Sequence, residues 1–183
     1  MTSRPGWSAH VAAANLQSGP WAGQAWRFHP RSYTATDSGG SAVISGRYHR
    51  AVDQFSRPEV WAALYLALSP EGAVGEVLRH FEAQSLPRIN EYRLSQIHIE
   101  LGAVLDCRRA ADLGLADEEL TEDYEFSITQ EVAAAAIARG AEAILVPSAT
   151  GLGDNLVIFP TQLQNTSKLV VVSTRDPRLY VPR

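Results

Sequence analysis

Several segments of the chain either alternate apolar and polar residues or run apolar for about five residues, and both patterns predict β-strands. The stretch QIHIEL (96–101) alternates strictly, with Ile97, Ile99 and Leu101 on one side, which is typical of a strand with one buried face. Further strands are predicted along the chain, of which residues 65–67 and 143–148 should be buried. These strands are WRFHP (26–30), residues 65–67, AVLDC (103–107, as a continuation or neighbour of the alternating strand), AILVPS (143–148), LVIFP (156–160) and KLVVVS (168–173).

Two long helices are predicted from the residues that open and close them. The tripeptide SPE (69–71) supplies a good N-cap, a proline suited to the first helical position and an acid at the positive helix end. A helix should therefore run from here to about residue 83. Ser127 and Gln130 have the spacing of a capping box that opens the helix EVAAAAIARG, and Gly140 is suited to close it. A short helical piece is expected at 117–120.

The order of these elements indicates the fold class. Several predicted strands are adjacent in sequence and only two helices are long, which favours an α+β fold over a doubly wound parallel sheet. Residues 31–46 are polar and glycine-rich and predict a loop, and GLGDN (151–155) predicts a tight one. Residues 1–20 suggest a short helix with a loose N-terminal arm. With 183 residues and no long linker, the chain is expected to form one domain, 1–183.

Composition excludes several classes of function. A net charge of −4 supplies no basic field for nucleic acid or anionic lipid. The single cysteine, Cys107, excludes an internal disulfide and a cysteine-rich zinc site, and suits a reducing cytoplasm. No metal-binding spacing such as HExxH links the histidines, so no metal is expected. The N-terminus lacks a signal-peptide pattern and no apolar run reaches 18 residues, so we expect a cytoplasmic protein with no membrane span.

Glu76 is the acidic residue whose direction is hardest to explain by packing. At 100° per residue, the apolar stripe of its helix is formed by Val74, Val77, Leu78 and Phe81, and Glu76 points away from it, towards Gly72, Arg79 and His80. By spacing alone, a solvated carboxylate next to Arg79 is the simpler interpretation. However, Gly72 and Gly75 weaken a helix, which indicates that something packs close to its first turn.

Three further residues could carry chemistry. Arg27 lies between aromatic residues in WRF, and Arg47 follows the glycine-rich loop in SGRYH. Either they are surface arginines whose stems pack on rings, or they clamp a phosphate or carboxylate with two parallel hydrogen bonds. Ser148 follows a buried strand without a GxSxG elbow, so a hydrolase nucleophile is not indicated. Its hydroxyl is either structural or orients a ligand.

Taken in order, these motifs resemble the RES domain family. The resemblance is carried over residues 24–162 by WRFHP, a glycine-rich turn into GRYH, LYLALSPEGAVGEVLRH, the ITQEVA helix and ILVPSATGLGDNLVIFP. This family is found as the toxin of RES–Xre toxin–antitoxin pairs. The resemblance implies an ADP-ribosyltransferase-like fold, with a mixed, mainly antiparallel split sheet and flanking helices, that binds NAD⁺ in a cleft. Characterised members deplete NAD⁺ by hydrolysis or phosphorolysis of the nicotinamide–ribose bond.

The resemblance also implies the roles of individual residues. The catalytic set would be Arg27, Arg47, Glu76 and Ser148, and the NAD⁺-binding set would be Arg27, Arg47, Tyr48, Tyr65, Ser148 and Asn155, with no metal. Glu76 would stabilise positive charge on the ribose, the arginines would hold pyrophosphate or phosphate, and Tyr65 would stack on nicotinamide or ribose. The expected partner is an Xre-type helix-turn-helix antitoxin, in a homodimer or a toxin–antitoxin hetero-oligomer, without direct binding to nucleic acid.

One departure from the family pattern keeps alternatives open. The family usually has GGRWN where this chain has SGRYH (45–49), so that His49 replaces an asparagine. The insert between Arg47 and Tyr65 is also longer than is usual in the family. The alternatives to NAD⁺ degradation are therefore a catalytically inactive RES fold that serves as an interaction module and a protein ADP-ribosyltransferase.

Overall fold

The computed structural model describes residues 16–79 and 89–181 of the chain. Its strands are β1 (Ser18–Pro30), β2 (Leu64–Ala67), β3 (Tyr92–Asp106), β4 (Ala143–Pro147), β5 (Asp154–Ile158) and β6 (Lys168–Arg175). Its α-helices are α1 (Pro70–Leu78), α2 (Asp117–Thr121) and α3 (Ser127–Ala138). Short 3-10 turns occur at Gly39–Ala42, Arg57–Glu59, Ala110–Leu113, Pro160–Gln162 and Pro177–Tyr180.

The described strands form one hydrogen-bonded sheet in which five strands close a circuit. β1 pairs with β2, β2 with β5, β5 with β4, β4 with β3, and β3 returns to β1, while β6 extends the other edge of β3. Only the β3–β4 pair is parallel among these. The predicted α+β class with mainly antiparallel pairing is therefore confirmed. The finer expectation, an ADP-ribosyltransferase-like split sheet, stays a prediction.

Strand β1 is longer than the sequence predicted. It begins at Ser18 rather than at residue 26, and it pairs with β3 from Ser18 opposite Leu105 to Pro30 opposite Tyr92. The prediction of a loose arm is thus wrong for residues 18–20, and residues 1–15 lie outside the described part. The segment SGPWAGQA has weak strand propensity of its own. Its extended form follows from the fifteen-residue partner β3, which supplies the hydrogen bonds.

The apolar side chains of the strands pack on the two faces of the sheet. One set lies inside the strand circuit and includes Ile97, Ile99 and Leu156, all fully buried. A second set, with Ile144 and Phe159, packs against the alanine-rich face of α3. The predicted buried face of QIHIEL is confirmed. Because residues of β4 and β5 alternate between these faces, their continuous apolar runs are buried on both sides.

The helix ends explain one success and one failure of prediction. Gly140 has φ +75°, and the N–H groups of Ala141 and Gly140 return to the carbonyls of Ala136 and Ile137, which is a Schellman closure. The predicted capping box at Ser127 is wrong, because Ser127 is already the first helical residue and the N-cap Phe126 makes no side-chain cap.

None of the described helices is long and apolar enough to span a membrane.

Candidate functional site

The first turn of α1 is hydrogen-bonded to the loop that follows β4. Ser69 is the N-cap, since its Oγ accepts a hydrogen bond from the Gly72 N–H at 3.0 Å and donates one to the Leu152 carbonyl at 3.1 Å. A Cβ on Gly72 would lie only 3.0 Å from that carbonyl oxygen, so the loop packs directly on the helix. The predicted cap and the predicted close approach at Gly72 are both confirmed. The predicted end at about residue 83 is wrong, because the helix ends at Leu78 with Arg79 as its C-cap; His80 and Phe81 lie outside the described residues.

This contact places two polar side chains against Glu76. Oε1 of Glu76 accepts a hydrogen bond from Ser148 Oγ at 2.6 Å and another from Asn155 Nδ2 at 2.8 Å. The nearer guanidinium nitrogen of Arg79 is 4.0 Å from Oε2. The Glu76 side chain is 25% exposed, so it is not the solvated carboxylate that spacing alone favoured. It is an oriented carboxylate with one oxygen engaged and the other free of close donors among the described residues.

Glu76 lines a cavity of about 690 Å³, a size suited to a small-molecule ligand. The cavity is also lined by five more of the residues that the sequence assigned to the site, namely Arg27, Arg47, Tyr48, Tyr65 and Asn155. Other residues of the lining are Trp26, His49, Arg79, Asp123, Tyr124 and Phe126. The structure therefore brings together residues from β1, β2, β5, α1 and two loops.

Ser148 belongs to the site without lining the cavity. The residue is 5% exposed, and its hydroxyl is shared between Glu76 and Thr150 Oγ1, at 2.6 Å each. The Thr150 N–H also donates to it at 3.1 Å. A hydroxyl engaged in this way holds the Glu76 carboxylate in place, whereas the sequence suggested a direct contact with ligand.

Arg27 projects from β1 into the cavity wall. Its guanidinium donates to the carbonyl of Ala35 at 2.9 Å and to that of Thr34 at 3.4 Å, which fixes its direction from the loop side. Burial lowers the pKa of Arg27, and the nearby Asp37 carboxylate acts in the opposite direction. A guanidinium stays cationic at neutral pH, so Arg27 contributes a partly desolvated positive charge to the cavity.

Arg47 is held more tightly than a surface arginine. Its guanidinium donates to the carbonyls of Leu120, at 3.2 Å, and Glu122, forms an ion pair with Asp123 at 3.1 Å, and lies 5.4 Å from the centre of the Phe126 ring.

The backbone of the Arg47 loop is anchored by α3. Thr129 Oγ1 donates to the carbonyl of Arg47 at 2.5 Å, and the Gln130 amide donates to the carbonyl of Gly46 at 3.0 Å. Gln130, predicted as a capping residue, thus holds the loop that carries Arg47.

Tyr65 and His49 form a hydrogen-bonded pair at the cavity wall. His49 Nδ1 is 2.8 Å from the Tyr65 hydroxyl, and its Nε2 is 2.7 Å from the carbonyl of Ile44. Burial lowers the pKa of His49, although the hydrogen bond to Ile44 and the charge of Asp53 act in the opposite direction. The lowered pKa favours the neutral ring. A carbonyl can only accept, so Nε2 carries the proton and Nδ1 accepts from Tyr65. The residue that departs from the family pattern therefore orients the Tyr65 hydroxyl.

Tyr48 connects this pair to the core. Its N–H donates to the Tyr65 hydroxyl at 2.9 Å, and its own hydroxyl donates to the carbonyl of Leu120 at 3.3 Å. With 2% of its surface exposed, Tyr48 borders the cavity but is packed chiefly as an anchor for the loop. Burial raises the pKa of both tyrosines, so both hydroxyls are protonated donors at neutral pH.

The insert between Arg47 and Tyr65 packs against α3. The Arg50 guanidinium lies between the rings of Phe55, at 4.8 Å, and Trp61, at 5.0 Å, and forms an ion pair with Glu131. The insert is therefore packed against α3 rather than forming an open loop.

Sequence reasoning missed Arg79 and the segment 122–126. Spacing alone placed Arg79 beside a solvated carboxylate and indicated no role for residues 122–126, although Arg79, Asp123, Tyr124 and Phe126 all line the cavity. The one signal in the sequence is that two aromatic residues stand within an otherwise acidic run. Within the described ranges, no group of three or more His, Cys, Asp or Glu side chains is arranged to hold a metal ion.

An oriented carboxylate, several guanidinium groups and aromatic side chains surround one cavity of this α+β fold, and such groups can contact an anionic ligand that carries rings. The profile of the RES domain matches residues 24–181, and the chain belongs to this family. The match extends the resemblance of residues 24–162 through β6 and the last 3-10 turn.

The fold is shared with a chain in the crystal structure of the M. tuberculosis MbcT–MbcA toxin–antitoxin complex. The TM-score is 0.73 with 23% sequence identity, over 94% of this chain and 93% of that chain. A comparison with curated proteins finds no match.

Proposed function

We propose that this chain is a cytoplasmic toxin that degrades NAD⁺ by cleaving the bond between nicotinamide and ribose. Membership of the RES family and the fold shared with a chain of a toxin–antitoxin complex support the proposal. The partner would be an Xre-type helix-turn-helix antitoxin that neutralises it. The observation that carries the chemistry is the Glu76 carboxylate, held by Ser148 and Asn155 at the wall of a cavity that also contains arginines.

The role of Glu76 follows from the charge that develops in this reaction. As the C–N bond breaks, its electron pair leaves with nicotinamide, and the ribose carbon becomes positively charged. A fixed carboxylate beside that carbon stabilises the charge without having to reorganise. A water oxygen or a phosphate oxygen then bonds to the same carbon. With water, the proton released passes to Glu76 or to solvent, and the products are nicotinamide and ADP-ribose.

The other cavity residues would position the dinucleotide. Arg27 and Arg47 offer charge-assisted hydrogen bonds to phosphate oxygens. The Tyr65 ring offers a face for stacking on nicotinamide or ribose. Ser148 and Asn155 would orient the Glu76 carboxylate, since both side chains donate hydrogen bonds to its Oε1. No metal is required by this scheme, which depends on positioning and electrostatics.

The proposal is tested by following NAD⁺ loss with the purified protein, with and without phosphate. We expect Glu76→Gln to lower the rate by about 100-fold or more, since removal of one electrostatic stabiliser typically costs that much. Glu71→Gln is the matched control, because Glu71 is an exposed acid on the same helix. Equal rates for wild type and Glu76→Gln, whether both active or both inert, would contradict the role of Glu76.

The products distinguish the three versions of this chemistry. ADP-ribose indicates hydrolysis, a phosphorylated ADP-ribose that requires added phosphate indicates phosphorolysis, and radiolabel retained on protein indicates protein ADP-ribosylation. Absence of all three products from a folded protein that still binds NAD⁺ would identify an inactive interaction module. In cells, expression without antitoxin should arrest growth, and Arg27→Ala should relieve the arrest.

A further inference from the structure

Two arginines at the cavity wall share one carboxylate of the chain itself. Asp123 Oδ1 lies 3.1 Å from Nη2 of Arg47, and Asp123 Oδ2 pairs with Nη2 of Arg79. All three side chains line the cavity of about 690 Å³. A carboxylate that offers one oxygen to each of two guanidinium groups occupies the place that two oxygens of a phosphate would occupy.

The segment that carries Asp123 lies where the cavity meets solvent. The neighbouring Tyr124 is 95% exposed and nevertheless lines the cavity, and the Asp123 side chain is 43% exposed. The Glu122 carboxylate accepts from the N–H groups of Asp123, at 2.8 Å, and Tyr124, at 3.2 Å, so the turn has its own local support. Arg47 also holds the carbonyls of Leu120 and Glu122. The segment therefore does not depend on the Asp123 carboxylate for its position.

We propose that Arg47 and Arg79 form a subsite for a phosphate group, and that Asp123 occupies it as an internal competitor until a phosphate-bearing ligand displaces it. Asp123 is the more exposed partner of both ion pairs, at 43% against 15% for Arg47 and 24% for Arg79, so its carboxylate can move out to solvent. A dianion that accepts from both guanidinium groups can then replace the single charge of Asp123. Arg79 also lies 4.0 Å from Glu76, which connects the subsite to the oriented carboxylate. The choice of a phosphate ligand rests on the proposed function, whereas the competition is a property of this site alone.

The experiment measures binding of inorganic phosphate, and separately of ADP, to wild type and variants by titration calorimetry. We expect Asp123→Asn to bind the anion roughly 3- to 10-fold more tightly, because the competing carboxylate is removed from both guanidinium groups. Arg79→Gln should bind it about tenfold more weakly. Asp117→Asn is the matched control, because it removes the same charge from an exposed position in the first turn of α2, outside the cavity lining.

Two results would overturn the proposal. One is anion binding by Asp123→Asn that is unchanged or weaker than that of wild type, while thermal melting shows the variant to be folded. The other is an equal gain for Asp117→Asn, which would indicate a general effect of charge.

The ligand that gains affinity identifies the source of the phosphate. A gain for ADP points to the diphosphate of a nucleotide, and a gain for inorganic phosphate alone points to phosphate as the second reactant. Because these measurements require no turnover, the subsite can be supported even if NAD⁺ is not cleaved, and can fail even if it is.

Discussion

Glu142 lies just before β4, is fully buried, and forms no ion pair with the described residues. Its Oε2 accepts from the N–H groups of Gly102, at 2.6 Å, and Ala103, at 2.9 Å. Its Oε1 accepts from the N–H of Gln164, at 2.9 Å, and from the Ser167 hydroxyl. One carboxylate thus joins β3 to the loop between β5 and β6, and we predict that Glu142→Gln destabilises the fold.

The magnitude follows from which hydrogen bonds glutamine can keep. Its carbonyl oxygen can serve the Gly102 and Ala103 N–H groups, but its amide then faces two donors. The Ser167 hydroxyl can rotate to accept, whereas the Gln164 N–H loses its partner, which costs about 1–3 kcal/mol when buried. Weakening the charge-assisted bonds adds about 1 kcal/mol. The total of about 3 kcal/mol should lower Tm by roughly 6–12 °C in a domain of this size.

The pH dependence gives an independent check on the carboxylate. Burial alone would raise the pKa of Glu142, but the hydrogen bonds from Gln164, Ser167, Ala103 and Gly102 outweigh it and hold the pKa below its ordinary value of 4.5. A lowered folded-state pKa contributes stability above the unfolded-state pKa, and this stability is lost as the pH falls through the folded-state value. The difference between wild type and Glu142→Gln should therefore be full near neutral pH and shrink below about pH 4.5.

Urea denaturation at a series of pH values measures this difference. Glu118→Gln is the control, because Glu118 is exposed and its side chain forms no hydrogen bond or ion pair in the described structure. Equal unfolding midpoints for wild type and Glu142→Gln at pH 7 would refute the argument. A difference that stays constant down to pH 3 would show that the destabilisation has a cause other than the charge.

Three further predictions concern single residues. Ser69→Ala should cost about 1 kcal/mol in the free energy of unfolding, because the N-cap of α1 is lost; denaturant midpoints equal to wild type would contradict this. Gly140→Ala should cost about 1–2 kcal/mol, because φ is +75° there, and Gly19→Ala, where a Cβ meets nothing within 4 Å, is its control in the same assay. Burial raises the pKa of the Cys107 thiol to about 12, so a thiol reagent should leave it unmodified in the native protein and label it in urea. Rapid labelling of the native protein at pH 8 would show that this site opens.

At the candidate site, the local sequence pattern predicted the direction of Glu76 but not its surroundings. The periodicity of α1 correctly separated Glu76 from the apolar stripe, and Ser69 marked where the helix begins. Neither observation could distinguish solvent from a cavity on the far side of that helix. That distinction depends on Ser148 and Asn155, which are 72 and 79 residues away in sequence.

What the sequence determined by itself is local and periodic. It placed the apolar strands, the start of α1, the end of α3 at Gly140 and the α+β class, because these depend on propensities, caps and alternation over a few residues. The tertiary structure alone decided the extent of β1, whose strand form depends on its partner β3. It also turned Gln130 from an expected capping residue into a support for the loop of Arg47. Finally, it placed Asp123 between Arg47 and Arg79, because ion pairs between distant segments form only once the packed core has fixed the chain's path.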